Sequence, residues 1–355
     1  MIRLLPYFIL VFLPILVYLF GKVKKINLNK FSICLFFIIF IIILSLRSNL
    51  IGVDLPNYKY FFDISSKLSF KELIFYFEKG EFLFFIFNKI ISFFSNHNFQ
   101  ILLTFCAILS ILPILKVYSD KVSNPVLTIA LFLVVAPFSM FFSGIRQCIA
   151  MGIVVYSFKY VENKKFFNFL FCIFIASLFH RSALFSFILY FLYHINISKK
   201  MFLFLIPIMI FIFIFNQQIF MLLLKVISIY DGEIQLTGAY SILILLILFA
   251  VYCFVFAKSD KVDKEFTGLR NILLFAIFIQ MFASIHATVM RINYYYLLFI
   301  PLLIPKIINY VDKKNIKFLN FFHMFLSLFF IVYFFYNGYF GEDILHIFPY
   351  MPFWR

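Results

Sequence analysis

Charge is scarce in this chain, and acidic charge scarcer still. Of 355 residues only 13% are charged, with 31 Lys and Arg against 15 Asp and Glu, while 65% are hydrophobic and 59 are Phe. Mean hydropathy is +1.06. A soluble globular domain does not have this composition, and apolar stretches near membrane-spanning length recur from end to end. Acids are missing from the middle of these stretches, which argues against a proton-coupled transporter, whose path ordinarily holds a buried carboxyl. No DxD or paired-acid metal site is present, and no phosphate-loop, HExxH or GxSxG pattern, so neither a metal nor a cofactor is expected. The five cysteines (Cys34, Cys106, Cys148, Cys172, Cys253) lie in apolar runs at unrelated spacings, giving neither a disulfide framework nor a zinc site. The first apolar run holds Pro6 and Pro14 and lacks a small-residue cleavage site, so no cleavable signal peptide is expected.

What is present is positive charge, sorted by type and place. Lysines crowd polar loops: Lys22, Lys24, Lys25 and Lys30, then Lys164 and Lys165, Lys199 and Lys200, and Lys313, Lys314 and Lys317. Such loops read as cytoplasmic under the positive-inside rule, so the formal charge of +16 belongs to topology and anionic lipid rather than to nucleic acid. Four of the seven arginines stand alone at the ends of apolar runs: Arg47, Arg146, Arg181 and Arg291. A guanidinium at a membrane edge needs a specific partner, and its planar fork suits phosphate.

The apolar runs predict an all-α polytopic integral membrane protein, read as a single transmembrane domain over residues 1–355. Counting spans from either end agrees only if Phe82–Phe94 fails to cross. That gives about twelve crossings, both termini outside, and a re-entrant or interfacial helix near 82–94. Two long external segments follow, 47–98 and 216–239. The second opens on an amphipathic piece at Ile219–Ile229 and ends in Tyr230-Asp231-Gly232-Glu233.

Four polar constellations fall on the external side. In Arg47-Ser-Asn-Leu-Ile-Gly52-Val-Asp54-Leu-Pro-Asn57-Tyr58, Gly52 and Pro56 permit a tight loop, and Arg47 and Asp54 suit a phosphate and a sugar hydroxyl; a plain interfacial anchor paired to an acid is the alternative. Ser143-Gly144-Ile-Arg146-Gln147 places a bidentate cation at a helix start, a phosphate-binding combination, against a snorkelling Arg146 and a Gln147 bonded to a neighbouring helix. His180-Arg181-Ser182-Ala183 offers a general acid or base, or a neutral donor. His286-Ala-Thr-Val-Met-Arg291-Ile-Asn-Tyr294-Tyr-Tyr296 adds another edge arginine, with at least two tyrosines read as an interfacial belt.

In order along the chain, Arg47…Gly52-Val53-Asp54…Asn57-Tyr58, Ser143-Gly144-Ile145-Arg146-Gln147, Phe179-His180-Arg181-Ser182-Ala183, Arg291 with its tyrosines, and Pro349-Tyr350 resemble the EpsG-like group of Wzy-type polysaccharide polymerases. The group has Thr or another small residue where Val53 stands, and a variable second residue where Arg181 stands. The resemblance implies a glycosyltransferase of the bacterial inner membrane that joins undecaprenyl-pyrophosphate-linked oligosaccharide units on the external face, building O-antigen, capsule or exopolysaccharide. It implies a lipid-linked oligosaccharide, membrane lipid and a chain-length regulator as partners, and no nucleic acid. On that reading Arg146 and Arg291 hold the pyrophosphate and Arg47 supports a lipid carrier. Asp54 is the first choice of base and His180 the second, with Tyr58, Gln147, Arg181 and His286 completing substrate binding. A lipid-linked oligosaccharide flippase, which would want charge at mid-membrane, and a membrane O-acyltransferase, which would want a cytoplasmic-side histidine, are the alternatives. Residues 341–355 are read as an external flap with Pro349, Tyr350 and Trp354 at the interface.

Overall fold

The computed structural model describes residues 4–76, 81–227, 240–258 and 261–354. The described residues are helical, with one isolated bridge, Arg47 to Pro352, and no strand. By length and composition five helices can cross a membrane: Leu5–Lys24, Asn29–Leu46, Phe99–Lys121, Lys264–Ala283 and Lys313–Phe340. The count reaches seven if two bent pairs are each one span, Lys199–Ile214 with Asn216–Leu222 (74°) and Thr288–Leu297 with Ile300–Tyr310 (42°). This makes a multi-pass membrane protein, with fewer long spans than the apolar runs suggest. The segment expected not to cross is a helix of 13 residues, Phe82–Phe94. At 1.5 Å per residue it is shorter than the bilayer core.

One apolar run does not form the continuous helix that its hydropathy predicts. Pro125–Phe142 is divided into a 10-residue helix, Pro125–Val134, and a short turn of helix, Met140–Ser143. Pro137 lies in the break, and as a proline it has no amide to continue the helical ladder. Hydropathy registers only that the residues are apolar, and Phe132, Phe138 and Phe142 are indeed buried, but against protein.

Two compact units result, Met1–Phe187 with His323–Arg355, and Ile188–Phe322. In the first, Asn29–Leu46, Phe99–Lys121, Ile145–Glu162 and Phe166–Phe179 pack side by side in chain order. Asn98 and Asn124 cap helix starts by accepting from Gln100 N–H (2.9 Å) and Val126 N–H (3.2 Å). Phe37 stands edge-on to Tyr118 and Phe132, centroids 5.2 and 5.1 Å away, filling the space between helices. Gly152 lets two helices close further: a Cβ there would lie 2.5 Å from the Ser110 carbonyl oxygen.

The helix ends in this unit differ in charge chemistry. At one end Lys30 and Lys116 reach Asp120 (2.9 and 3.2 Å), and Lys121 reaches Glu162 (2.5 Å). At the opposite ends of the same helices stand Arg47, Arg146 and His180. The arginines thus gather at one end of these helices, although Lys59, Lys67, Lys71 and Lys89 lie on the 47–98 segment at that same end.

The segment expected as a flap is a strap tied into this unit. Ser48 N–H donates to Met351 O (2.8 Å), Phe353 N–H to Leu46 O (2.9 Å) and Gly52 N–H to His346 O (3.2 Å). Tyr7 Oη donates to Ile347 O (2.5 Å) and Tyr350 Oη to Ile43 O (3.0 Å). Tyr350 is buried rather than interfacial, while Trp354 is exposed. Tyr350→Phe should lower unfolding stability by about 0.5–1.5 kcal/mol, the usual net worth of one hydrogen bond, as read by thermal melting of the purified protein.

In the second unit Lys264–Ala283 is the buried centre. Asn271 donates to Leu192 O and Ile195 O (2.9 and 2.7 Å), closing the end of helix Ile188–His194. Arg270, buried, donates to Ile197 O (2.7 Å) and lies 4.0 Å from the Phe254 ring centroid. Glu78, Tyr230, Asp231 and Glu233, expected on external segments, lie outside the described residues.

Candidate active site

The first two constellations meet in the first unit. Gly52 turns the chain at φ 102°, a conformation that favours glycine, with its Cα against the Phe142 carbonyl. That brings Asp54 onto Ser143, whose hydroxyl donates to Asp54 Oδ2 (2.9 Å) and accepts from Asp54 N–H (3.1 Å). One helical turn on, Tyr58 is buried and its hydroxyl lies 3.5 Å from Arg146 Nε. The Arg146 guanidinium also stands over the rings of Tyr58 and Phe84, at 5.5 and 5.9 Å.

The partner of Arg146 is Glu81, an acid of the 47–98 segment to which the sequence assigns no role. Glu81 Oε2 is 2.7 Å from Arg146 Nη1, and its Oε1 is 2.7 Å from His180 Nδ1. The same Oε1 accepts from the Arg181 backbone N–H at 3.1 Å. Burial resists ionisation of Glu81, but the His180 hydrogen bond and the charges of His180 and Arg146 outweigh it, holding its carboxyl below the ordinary range. Glu81 is nonetheless reachable, its side chain being 14% exposed beside an Arg146 at 25%. The signal in the sequence is slight: an acid immediately ahead of the apolar run that opens at Phe82.

Tyr58, Arg146, Glu81 and His180 are therefore linked side chain to side chain, with the Asp54–Ser143 pair one helical turn before Tyr58. The Arg181 side chain is exposed and only its backbone takes part. Gln147 is buried in helix Ile145–Glu162. Arg47 does not reach this group through any ion pair among the described residues. It is 1% exposed, donates from Nη1 to Leu44 O (2.5 Å) at the end of its own helix, and lies 5.9 Å from the Phe142 ring centroid. The arrangement makes it a brace at a helix C-terminus, where positive charge is favoured.

His286 and Arg291 belong to the second unit. His286 opens helix Ala287–Leu297 by accepting from Thr288 N–H (3.1 Å) and lies against Phe220 (6.0 Å). Arg291 is exposed on that helix. Tyr295 and Tyr296, expected in an interfacial belt, are fully buried instead. They share their helix with Asn293, which donates to Gln280 Oε1 (2.7 Å) and Ala276 O (3.1 Å), so this segment packs on Lys264–Ala283.

A family model for the EpsG family matches residues 30–351, a span containing every constellation named above. The chain belongs to the EpsG family. No curated protein and no solved structure matches it. The matched span of this EpsG-family member includes both the Asp54–Arg146–His180 group and most of the strap that holds the Gly52 loop.

Proposed function

We propose that this EpsG-family member is a membrane polysaccharide polymerase that joins undecaprenyl-pyrophosphate-linked oligosaccharide units on the external face of the bacterial inner membrane. The observation that carries the reading is the grouping of a part-buried arginine, a histidine and an oriented aspartate at the helix ends opposite the Lys30, Lys116 and Lys121 ion pairs. Family membership supports the polymer chemistry, and the lysine clusters at residues 22–30 and 164–165 at the other end support the orientation. About twelve crossings would require short apolar helices such as Phe166–Phe179 and Tyr240–Phe256 to serve as spans.

The growing chain is the donor, joined through its reducing-end sugar to lipid pyrophosphate. A hydroxyl of the incoming unit attacks the anomeric carbon, the bond from that carbon to the pyrophosphate oxygen breaks, and the hydroxyl proton passes to a base. Asp54 suits the base role, since Ser143 fixes one carboxylate oxygen and so orients the other. Arg146 and His180 suit the leaving group, whose negative charge grows as the bond breaks. Arg291 and His286 are proposed as substrate-binding residues of the second unit; Gln147 supports the helix that carries Arg146. Buried as it is, Arg47 would act on a lipid carrier only through the loop it braces.

The test is the surface-polysaccharide gel of a deletion strain. A single repeat unit on the acceptor, extended to a ladder by the wild-type chain and not by Asp54→Asn, is the expected result. Absence of every repeat unit, with lipid-linked intermediates held on the cytoplasmic face, would make the protein a flippase.

A further inference from the structure

Glu81 occupies a place that its own helix does not ask it to fill. It precedes Phe82–Phe94 at the capping position, where an acid ordinarily accepts from the first free amides, yet its side chain makes no cap bond. It holds φ 66° and ψ 21°, a left-handed conformation that is costly for a residue with a side chain. With that backbone the carboxylate is turned away from the helix and onto Arg146 Nη1, His180 Nδ1 and the Arg181 N–H. Guanidinium, imidazole and backbone amide converging on two oxygens form a donor set that also fits the oxygens of a phosphate.

We propose that Glu81 is an internal anion, filling the cradle of Arg146, His180 and Arg181 while the site is empty and yielding it to a pyrophosphate ester. The inference rests on the polymerase reading and supplies what that reading lacks, a state for these donors between substrates. A half-buried guanidinium beside two aromatic rings would be costly without a counter-charge, and Glu81 provides one. A pyrophosphate brings more negative charge than a carboxylate and can displace it. Once the sugar has left, return of Glu81 to the same donors competes with the lipid pyrophosphate and favours its release. The exchange moves no covalent bond; one oxyanion replaces another on the same hydrogen-bond donors.

The experiment uses the full chain in lipid nanodiscs, with farnesyl pyrophosphate and inorganic pyrophosphate as probes and farnesol as the uncharged control. An occupant that fills the cradle most of the time weakens apparent affinity by the fraction of time it is absent. Glu81→Gln and Glu81→Ala should therefore bind both pyrophosphates about ten-fold tighter than wild type or more. Arg146→Ala should lose that binding, and farnesol should not discriminate among the variants. Equal or weaker pyrophosphate binding by Glu81→Gln would overturn the proposal and leave Glu81 as a fixed support for Arg146 and His180. Glu81→Asp keeps the charge with a shorter reach and should tighten binding by a smaller factor; if the neutral variants fail to fold, unchanged or weaker binding by Glu81→Asp overturns the proposal equally. The two readings fail separately. A deletion strain with an intact ladder removes the polymerase, whereas unchanged affinities in a chain that restores the ladder remove only the role of Glu81.

Discussion

Arg146→Ala should leave the protein in the membrane and stop chain extension. The guanidinium binds through separate edges, Nη1 to Glu81 and Nε toward the Tyr58 hydroxyl, with its face over Tyr58 and Phe84. Alanine removes all of these at once, and with them the fixed cation paired to Glu81. Loss of one preorganised charge of this kind costs about 3–4 kcal/mol of transition-state stabilisation, or roughly hundred-fold or more in rate. Arg146→Lys keeps a point charge but not the fork, and should fall between the two. The polysaccharide ladder, read beside an immunoblot of the membrane fraction, separates loss of chemistry from loss of protein. A full ladder from correctly inserted Arg146→Ala would remove this residue from the site.

Gly52→Ala should be nearly as damaging, although it touches no charged group. A Cβ at this position would come 2.1 Å from the Phe142 carbonyl oxygen, a backbone atom that no rotamer can move aside. The φ of 102° adds a conformational cost of about 1–3 kcal/mol for any residue with a side chain. The loop must therefore lift from Phe142, and with it Asp54 from Ser143 and Tyr58 from Arg146. The expected result is a protein present at normal level, with a ladder reduced at least ten-fold. Gly152→Ala is the contrasting variant: its conflict is with the Ser110 carbonyl between two helices, so it should lower thermal stability and abundance first.

The polar ends of the bundle were legible because charge is expensive at a membrane edge. A chain that keeps Arg146 and His180 there, with Asp54 and Tyr58 on the preceding loop, has few ways to satisfy them except together. Glu81 was harder to read because a single acid before an apolar run looks like every other loop acid. Its role depends on a backbone conformation and on an arginine and a histidine remote in sequence. The division of Pro125–Phe142 was hidden for a different reason, since burial among protein aromatics and burial in lipid leave the same hydropathy. Tyr295 and Tyr296 share that ambiguity: tyrosine suits an interface and a packed core alike, and only the neighbouring Asn293–Gln280 bond puts them in the core. Arg47 shows the converse, an edge arginine whose nearest acceptor is the carbonyl of Leu44 in its own helix.

The strap has a consequence for the order in which the molecule is built. Tyr7 and Ile347, joined by a hydrogen bond, are 340 residues apart, and the Gly52 loop is tied to His346. Every helix of the first unit can enter the membrane before those ties exist, because none of the helices needs the strap for its own ladder. The Asp54 loop therefore takes its final shape only after the ribosome has delivered residues 346–353. Nascent chains halted just short of the strap would be inserted, abundant and catalytically silent, so synthesis of this protein carries its own timer for when polymer chemistry can begin.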